Sequence, residues 1–415
     1  MSELTLTPDV VVVGGGPAGL TAATELRRQG VADVLVIERE SAAGGIPRHS
    51  DHTGYGIRDL HRVMPGPAYA QRLVSLANVA GASIWTQSMV TGIDDDLTLS
   101  VTSPRGIQQI RPRALVLATG ARERPRTARM IPGSRPQGVY TTGQLQNLVH
   151  LHHQRPGSRA VIVGAELVSW SSVLTLREAG CTPVLMTSTH DKAEAYSSLS
   201  LAGRIALRTP VATHTRVLAI EGKDRVTAVI LEDTQTRRVR RIECDTVVLT
   251  AEWVPDNELA RSAGIEIAPG SLSPRVDASL RTSHSGVFAI GNLVHPVDTA
   301  DVAALDGRHV ALAVRRWLND ASPFAPSVTI HAGQPLRWIS PSTLRLDDEA
   351  PARGKILAWT DEYIGAPVVE VRQGGRIIGR RRLPWPAAPG RVFRIPFALF
   401  KNLDYAAGDV SVTVR

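Results

Sequence analysis

Asp9-Val-Val-Val-Val13-Gly14-Gly15-Gly16-Pro17-Ala18-Gly19 is the stretch on which the fold turns. The β-branched run predicts a strand buried on both faces, as in a parallel sheet. It leads into G-x-G-x-x-G, and a helix is expected from Pro17 to about Gln29, then a strand at Val34–Ile37. A lone glycine motif is a weak signal. A strand before it and a helix after it make it a dinucleotide-binding βαβ unit. Gly14 permits the tight turn, Gly16 lets backbone approach a pyrophosphate, and Gly19 lets helix and strand pack closely. The helix start at Pro17 and Ala18 then offers N–H groups and partial positive charge to phosphates. Glu38 ends the second strand, near the roughly 20-residue offset of a ribose-binding acid.

Further along, helix is expected over 65–80, and strands at 98–102 and 114–118, before a Pro- and Arg-rich connector at 122–139. A second βαβ pattern starts at Ala160-Val-Ile-Val163, with a helix from about Glu166 to Ala179 and a strand over 183–186. Alternating strands follow at 216–220, 226–232 and 238–242, then buried strands at 247–249 and 287–290 and a helix over about 299–318. From about 326 prolines and short alternating strands take over: 355–359, 367–372, 376–380, 391–395 and 409–414. Gln373-Gly374-Gly375 marks a hairpin turn between two of them.

The chain has 415 residues, 43% of them hydrophobic, and a formal charge of +8. It is long for one domain and ordinary for a globular protein. Only Lys192, Lys223, Lys355 and Lys401 are lysines, so the positive charge is nearly all Arg. The basic runs 237–241 and 380–382 carry no interleaved aromatics. They read as solvated faces or a surface for an acidic partner protein, not as a nucleic-acid site. No apolar run nears the roughly 18 residues of a membrane span. Met1–Asp9 has neither a basic nor an apolar leader region, so a cytoplasmic location is expected. Cys181 and Cys244 are far apart and read as buried thiols; there is no CxxC pair and no iron–sulfur cluster motif. His150, His152 and His153 lack clustered acids, so no metal site is read there. Asp94-Asp95-Asp96 reads as a solvated turn.

Two more pieces widen the picture: Ala118-Thr119-Gly120 at a strand end, and Gly286-Val-Phe-Ala-Ile-Gly291-Asn292. With the first turn they resemble the glutathione-reductase-like (pyridine nucleotide-disulfide oxidoreductase-like) flavoproteins. Gly44-Gly-Ile-Pro-Arg-His-Ser-Asp-His-Thr-Gly-Tyr-Gly-Ile-Arg-Asp-Leu-His-Arg62, Gly66-Pro-Ala-Tyr-Ala70, Gly120-Ala-Arg-Glu-Arg-Pro125, the run 131–143 and Pro255-Asp-Asn-Glu-Leu-Ala-Arg-Ser-Ala-Gly264 narrow the match. They are similar to FAD subunits of opine oxidases, hydrogen cyanide synthases and dye-linked proline dehydrogenases. They are also similar to the flavoprotein companions of FAD-linked glycerol-3-phosphate dehydrogenase. The resemblance implies an α/β fold of two Rossmann-like three-layer domains plus a small C-terminal antiparallel β domain. An FAD domain (1–125 and 270–325) is interrupted by an NAD(P)-like domain (140–269), with the β domain at 326–415.

The same resemblance implies FAD held by Gly14, Gly16, Pro17, Ala18, Gly19, Glu38, Arg39, Gly45, Arg48, Val90, Ala118, Thr119, Gly120, Gly291, Asn292 and Thr299. In that superfamily the last motif usually ends Gly-Asp, the Asp binding the ribityl chain; Asn292 stands in its place and still bonds a hydroxyl. Asp298 or Thr299 is expected to cap the following helix, whose end points at the flavin in that superfamily. His49 and His52, on the flavin-facing segment, are candidates for proton transfer. Arg48 and Arg58 are candidates for a phosphate or substrate carboxylate, or for simple salt bridges.

This chain also departs from the pattern. Disulfide reductases carry a cysteine pair just after the Gly44–Gly45 position, and none is present, which excludes that activity. The second turn, Val163-Gly164-Ala165-Glu166-Leu167-Val168-Ser169, keeps one glycine of three. Glu166 adds bulk and like charge against a pyrophosphate, about 4 kcal/mol at ~4 Å and an effective dielectric of about 20. NAD(P) at this second site is therefore left open, against a purely structural Rossmann unit or another adenine nucleotide. The expected function is an FAD-dependent oxidoreductase in a multi-subunit dehydrogenase or oxidase for an amino acid, opine or polyol-phosphate donor. Its partner would be a dehydrogenase subunit or electron carrier, in an oligomer. The alternatives are a self-contained NAD(P)H-dependent flavin reductase or oxidase, and a non-catalytic nucleotide-binding scaffold.

Overall fold

The computed structural model describes residues 6–296, 298–320 and 325–415. The leader reading at Met1–Thr5 and the segment 321–324 before the C-terminal strands lie outside them. Along the chain come β1 (Val10–Val13), α1 (Pro17–Arg28), β2 (Val34–Ile37), α2 (Gly66–Ala80), β3 (Ser83–Trp85) and β4 (Ala114–Leu117). A second unit follows: β5 (Val139–Thr141), β6 (Arg159–Val163), α3 (Leu167–Glu178), β7 (Thr182–Thr187), β8 (Val211–Ala212) and β9 (Thr246–Leu249). The chain then returns to the first sheet with β10 (Val287–Ala289) and α4 (Ala300–Asn319).

Two parallel sheets result, in the orders β10-β4-β1-β2-β3 and β5-β9-β6-β7-β8. In the first, Val12 of β1 faces Val36 and Val116 on either side, and all four β1 side chains are buried. This is why the run is apolar without alternation. Both sheets place a glycine turn and a helix start after their middle strand. A three-stranded antiparallel layer (Met89–Ile93, Leu99–Ser103, Gly106–Ile110) is inserted before β4. Another (Thr215–Gly222, Val226–Asp233, Val239–Glu243) is inserted before β9.

The C-terminal unit packs a five-stranded sheet on a three-stranded one (Leu336–Ser340, Lys355–Thr360, Phe393–Pro396) around Val369, Val371, Phe393, Ile395 and Val412. Its pairs are antiparallel except Ile330 against Val410, which run parallel. It is joined to the first unit by Asp277, whose carboxylate has no solvent exposure and accepts from Arg281 and Arg345 Nε, each at 2.7 Å. Arg281 also reaches Asp347 and Asp348.

Several elements escape the sequence pattern. β3, Gly106–Ile110 and the helix Ser197–Ala206 are short or largely solvent-facing, so they carry little apolar period. Strands Ser327–Ala332 and Leu336–Ser340 were hidden among prolines and glycines. The connector after β4 is not irregular throughout: Ala121–Glu123 pairs with Trp253–Pro255 where the chain crosses back. Among the described residues no helix is long and apolar enough to cross a membrane.

α1 and α4 approach closely at Gly307. A Cβ on Gly307 would lie 2.3 Å from the Ala18 carbonyl oxygen and 2.7 Å from the Ala22 nitrogen. Gly307→Val is expected to destabilise the chain by about 3 kcal/mol, since neither neighbour is a flexible side chain. Urea unfolding checks it.

Candidate functional site

The glycine turn after β1 is built as its residue types demand. Gly14 has φ +110°, and a Cβ there would lie 2.4 Å from the Ala118 carbonyl oxygen. On Gly19 it would lie 2.0 Å from the Gly14 oxygen. Gly16 differs: only the Gly45 Cα lies within 4 Å, at 4.0 Å, so its free face opens outward at the N-cap of α1. Pro17 follows at the first helical position, where its missing N–H is no loss. Glu38 is buried; its Oε2 accepts from Gly15 N–H and its Oε1 from Glu40 N–H, both at 2.8 Å. A carboxylate has about four acceptor positions, so two remain for hydroxyl donors.

The segment after β2 folds over this turn. Gly44 N–H donates to the Gly15 carbonyl at 2.7 Å, and a Cβ on Gly45 would lie 2.9 Å from Gly16 Cα. His49 is buried close by in the turn Ile46–His49. Burial, Arg48 and His150 push its pKa down to about 4, so it is neutral at pH 7. Its Nδ1 is buried without a partner. His52 Nδ1 faces the Thr53 carbonyl at 2.9 Å and therefore carries the proton. That leaves Nε2 to accept from Ser50 Oγ at 3.1 Å. Ser50 in turn accepts from Gln146, which also donates to Ser171 of α3 at 2.7 Å. A polar chain thus links this segment to the second unit.

The third piece is the loop from β10 to α4. Gly291 packs on Ala18, where a Cβ would come within 2.8 Å of the Ala18 Cβ, and its N–H donates to Asp306. Asp306 forms a buried ion pair with His295; each group holds the other charged, the His pKa raised and the Asp pKa lowered. Asn292 Nδ2 donates to the Asp298 carbonyl at 3.1 Å, while its Oδ1 is buried without a partner. Thr299 occupies the N-cap of α4, but its hydroxyl turns to Asp301 instead of capping backbone. Asp298 does not cap either; its carboxylate is held by Arg394 at 2.8 and 2.9 Å.

Several expected contacts are engaged elsewhere. Arg39 pairs with Asp256 at 3.2 Å, and Arg58 with Asp301 at 3.1 Å, so both are salt bridges. The Arg48 guanidinium donates to the Ala42 carbonyl, local to its own loop. Thr119 Oγ1 donates to the Asp256 carbonyl at 2.7 Å and the Gly120 carbonyl accepts from Asp256 N–H, which ties the two units together where the chain crosses. Val90 lies in the hydrophobic core of the first unit.

The second glycine turn has the same frame and a different filling. Gly164 has φ +124° and leaves no room for a Cβ beside Thr250 Oγ1. Ser169 replaces the third glycine; its hydroxyl accepts from Glu166 N–H at 3.0 Å and lies 2.6 Å from Thr250 Oγ1. Glu166 is the N-cap of α3 and is buried, with Oε2 unpartnered. Burial, then the neighbouring Glu194, push its pKa up to about 8, so it is protonated at neutral pH. Like charge is therefore not the obstacle at pH 7, contrary to the sequence argument. Space beside Glu166 is also limited. Gly390 of the C-terminal unit lies against it: a Cβ there would be 2.4 Å from Glu194 Cβ and 3.0 Å from Glu166 Cγ. Arg391 stacks over Tyr196 and Lys192 over Tyr363, closing the same contact.

A family model described as pyridine nucleotide-disulphide oxidoreductase matches residues 8–307. The chain belongs to that family. Its members are oxidoreductases, and membership implies FAD and NAD(P) as the family's cofactors. An opine oxidase subunit of Rhizobium meliloti (strain 1021) is 25% identical over 333 residues, 74% of this chain and 70% of that protein. The biphenyl dioxygenase system ferredoxin–NAD(+) reductase component of Paraburkholderia xenovorans (strain LB400) is 27% identical over 386 residues, 88% of this chain and 86% of that protein. The T. acidophilum thioredoxin reductase structure superposes with a TM-score of 0.64 at 20% identity, over 74% of this chain and 97% of that one. L-proline dehydrogenase from P. horikoshii gives 0.56 at 20%, over 77% and 57%. These two share the fold.

Within this family frame, the residues that the sequence did not signal come from far along the chain: Asp306 behind Gly291, Gln146 behind Ser50, and Gly390 and Arg394 from the C-terminal unit. The Pro389–Gly390 pair marks a turn, but nothing in it marks a contact with Glu166.

Glu166 makes a pH prediction. An unfolded Glu releases its proton at roughly 4.3, the folded one at about 8. The folded state binds the extra proton in between, so this contribution to stability is full below the unfolded value and falls as pH rises toward about 8. Glu166→Gln is expected to flatten the fall in urea midpoint over that window.

Proposed function

We propose that this chain holds FAD at the first glycine turn and serves as the flavin electron-transfer component of a multi-subunit dehydrogenase or oxidase. Its donor would be an amino acid, an opine or a polyol phosphate oxidised with a partner protein. The residues present fit the cofactor. Gly16 leaves open space at a helix N-terminus for the pyrophosphate. Glu38 keeps acceptor positions for ribose hydroxyls, and Asn292 Oδ1 is a buried acceptor suited to a hydroxyl. FAD supplies reversible electron transfer when bound. The chain's own part is to bind and orient it, and to manage protons at His49 and His52. His49 is held neutral beside the turn, and His52 Nε2 receives the Ser50 hydroxyl.

The observation that carries the reading is Gly390 packed on Glu166. Crowding of the second glycine turn, where a second dinucleotide would rest its phosphates, supports a donor other than NAD(P)H. The kinship with opine oxidase supports the same choice. The cysteines support a function other than disulfide reduction. Cys181 and Cys244 are both buried, their thiols pushed up to about 12 and about 11 by burial, so neither offers a thiolate at neutral pH. The division into 1–125 with 270–325, 140–269 and 326–415 is part of this proposal.

Purified flavin-loaded protein is expected to keep its absorbance when mixed anaerobically with NADH or NADPH, and to lose it on adding the donor with the co-purifying dehydrogenase. Bleaching by NADH within seconds would establish the stand-alone NAD(P)H reductase instead. Flavin that no donor reduces would leave only the scaffold reading. Glu38→Ala is expected to weaken FAD binding by at least tenfold, the loss of a charged hydrogen bond of about 1.5–3 kcal/mol; flavin fluorescence titration measures it.

A further inference from the structure

One short stretch of the C-terminal unit touches both nucleotide positions. Gly390 lies on Glu166 and Glu194, Arg391 stacks over Tyr196, and Arg394 reaches the loop between β10 and α4. The two contacts lie four residues apart in the chain, at Gly390 and Arg394.

At the first position the contact is specific. Arg394 Nη2 donates to both oxygens of Asp298, at 2.8 and 2.9 Å. The Asp298 side chain is only 4% exposed, so Arg394 compensates a buried charge. Asp298 Oδ1 also accepts from Thr299 N–H at 2.9 Å. The carbonyl of Asp298 accepts from Asn292 Nδ2. A carbonyl cannot donate, so the amide nitrogen must face it and the amide oxygen must face away. That oxygen is left buried and unanswered in the loop that packs on Ala18 at the start of α1. Arg353, from the same C-terminal unit, faces the His295–Asp306 pair that holds Gly291. The loop is therefore set from the C-terminal side.

We propose that Arg394 is a positioning residue for the cofactor. By holding Asp298 it fixes the Asn292 amide with its oxygen presented to a hydroxyl of the bound dinucleotide. This rests on the flavin reading above. Without Arg394 the Asp298 carboxylate is buried and unpaired, and it turns toward solvent. Its carbonyl then leaves the Asn292 amide, which rotates freely and loses its presented acceptor. The C-terminal unit is on this account part of the flavin site, although it contributes no atom to the glycine turn.

The test is a double-mutant cycle on flavin affinity, measured by fluorescence titration of full-length apoprotein with FAD. Arg394→Met and Asn292→Ala are each expected to weaken binding about tenfold. Their combination is expected to be little worse than either alone, because both remove one acceptor. Arg394→Lys keeps a positive charge but not the planar guanidinium and should recover part of the loss. Asp298→Asn leaves no buried charge, so it folds where Arg394→Met does not, and it should weaken FAD binding as well. Folded Arg394→Met that binds FAD like the wild type overturns the proposal. So do losses that simply add, which would mean that Arg394 and Asn292 act separately. A wild-type chain that takes up no FAD overturns the flavin reading itself, and this inference with it.

Discussion

Where β1 turns into α1, backbone touches backbone. Gly19 rests on the Gly14 carbonyl, Gly45 on Gly16, Gly291 on Ala18 and Gly307 on the Ala18 and Ala22 backbone. Four separate stretches of chain converge because the glycines bring no side chain to the contact, with small alanines facing Gly291. The close approach turns the free N–H groups at the start of α1 outward and sets Glu38 beside them. It also makes the rest of the first unit follow. The segment 44–49 can only lie over the turn, and the loop after β10 can only pass beside it. A methyl group at Gly19 or Gly307 would part these stretches before it affected any chemistry.

The chain contains this turn twice, and the two copies show what the glycines are for. Gly14 and Gly164 both have positive φ, +110° and +124°, and each is crowded by the residue that follows the adjacent strand, through the Ala118 carbonyl and the Thr250 hydroxyl. Beyond that they diverge. Where Gly16 leaves space, Glu166 fills it. Where Gly19 permits contact, Ser169 bridges the wider gap with its hydroxyl. The Rossmann frame survives because strand pairing and core packing hold it, independently of any ligand. At the second copy Gly390 also packs on Glu166 and Glu194. Burial raises the pKa of both Glu166 and Glu194, that of Glu166 to about 8, which lowers the cost of enclosing two carboxyl groups there.

The C-terminal unit thereby stands in a double relation to the rest. It packs Gly390 on Glu166 and Glu194 and pairs Arg394 with Asp298, with the Asp277 cluster joining it to the first unit. A small β unit of this kind would read in isolation as a docking module. Here it also holds the loop between β10 and α4 through Arg394 and Asp298.

How much was legible follows from range. The amino-acid sequence by itself determined the duplicated βαβ frame, the glycine turn and Glu38, because strand burial, turn geometry and helix starts are set by neighbours a few residues apart. It also exposed the degraded second turn, residue for residue. The tertiary structure alone decided that Glu166 is neutral, that Arg39, Arg58 and Asp298 are already paired, and that Thr299 does not cap. Those outcomes depend on partners such as Asp256, Asp301 and Arg394, which lie from about a hundred to more than two hundred residues from Arg39, Arg58 and Asp298. Burial and pairing set the charge of a group and the direction of an amide, and both arise only when distant strands close upon one another.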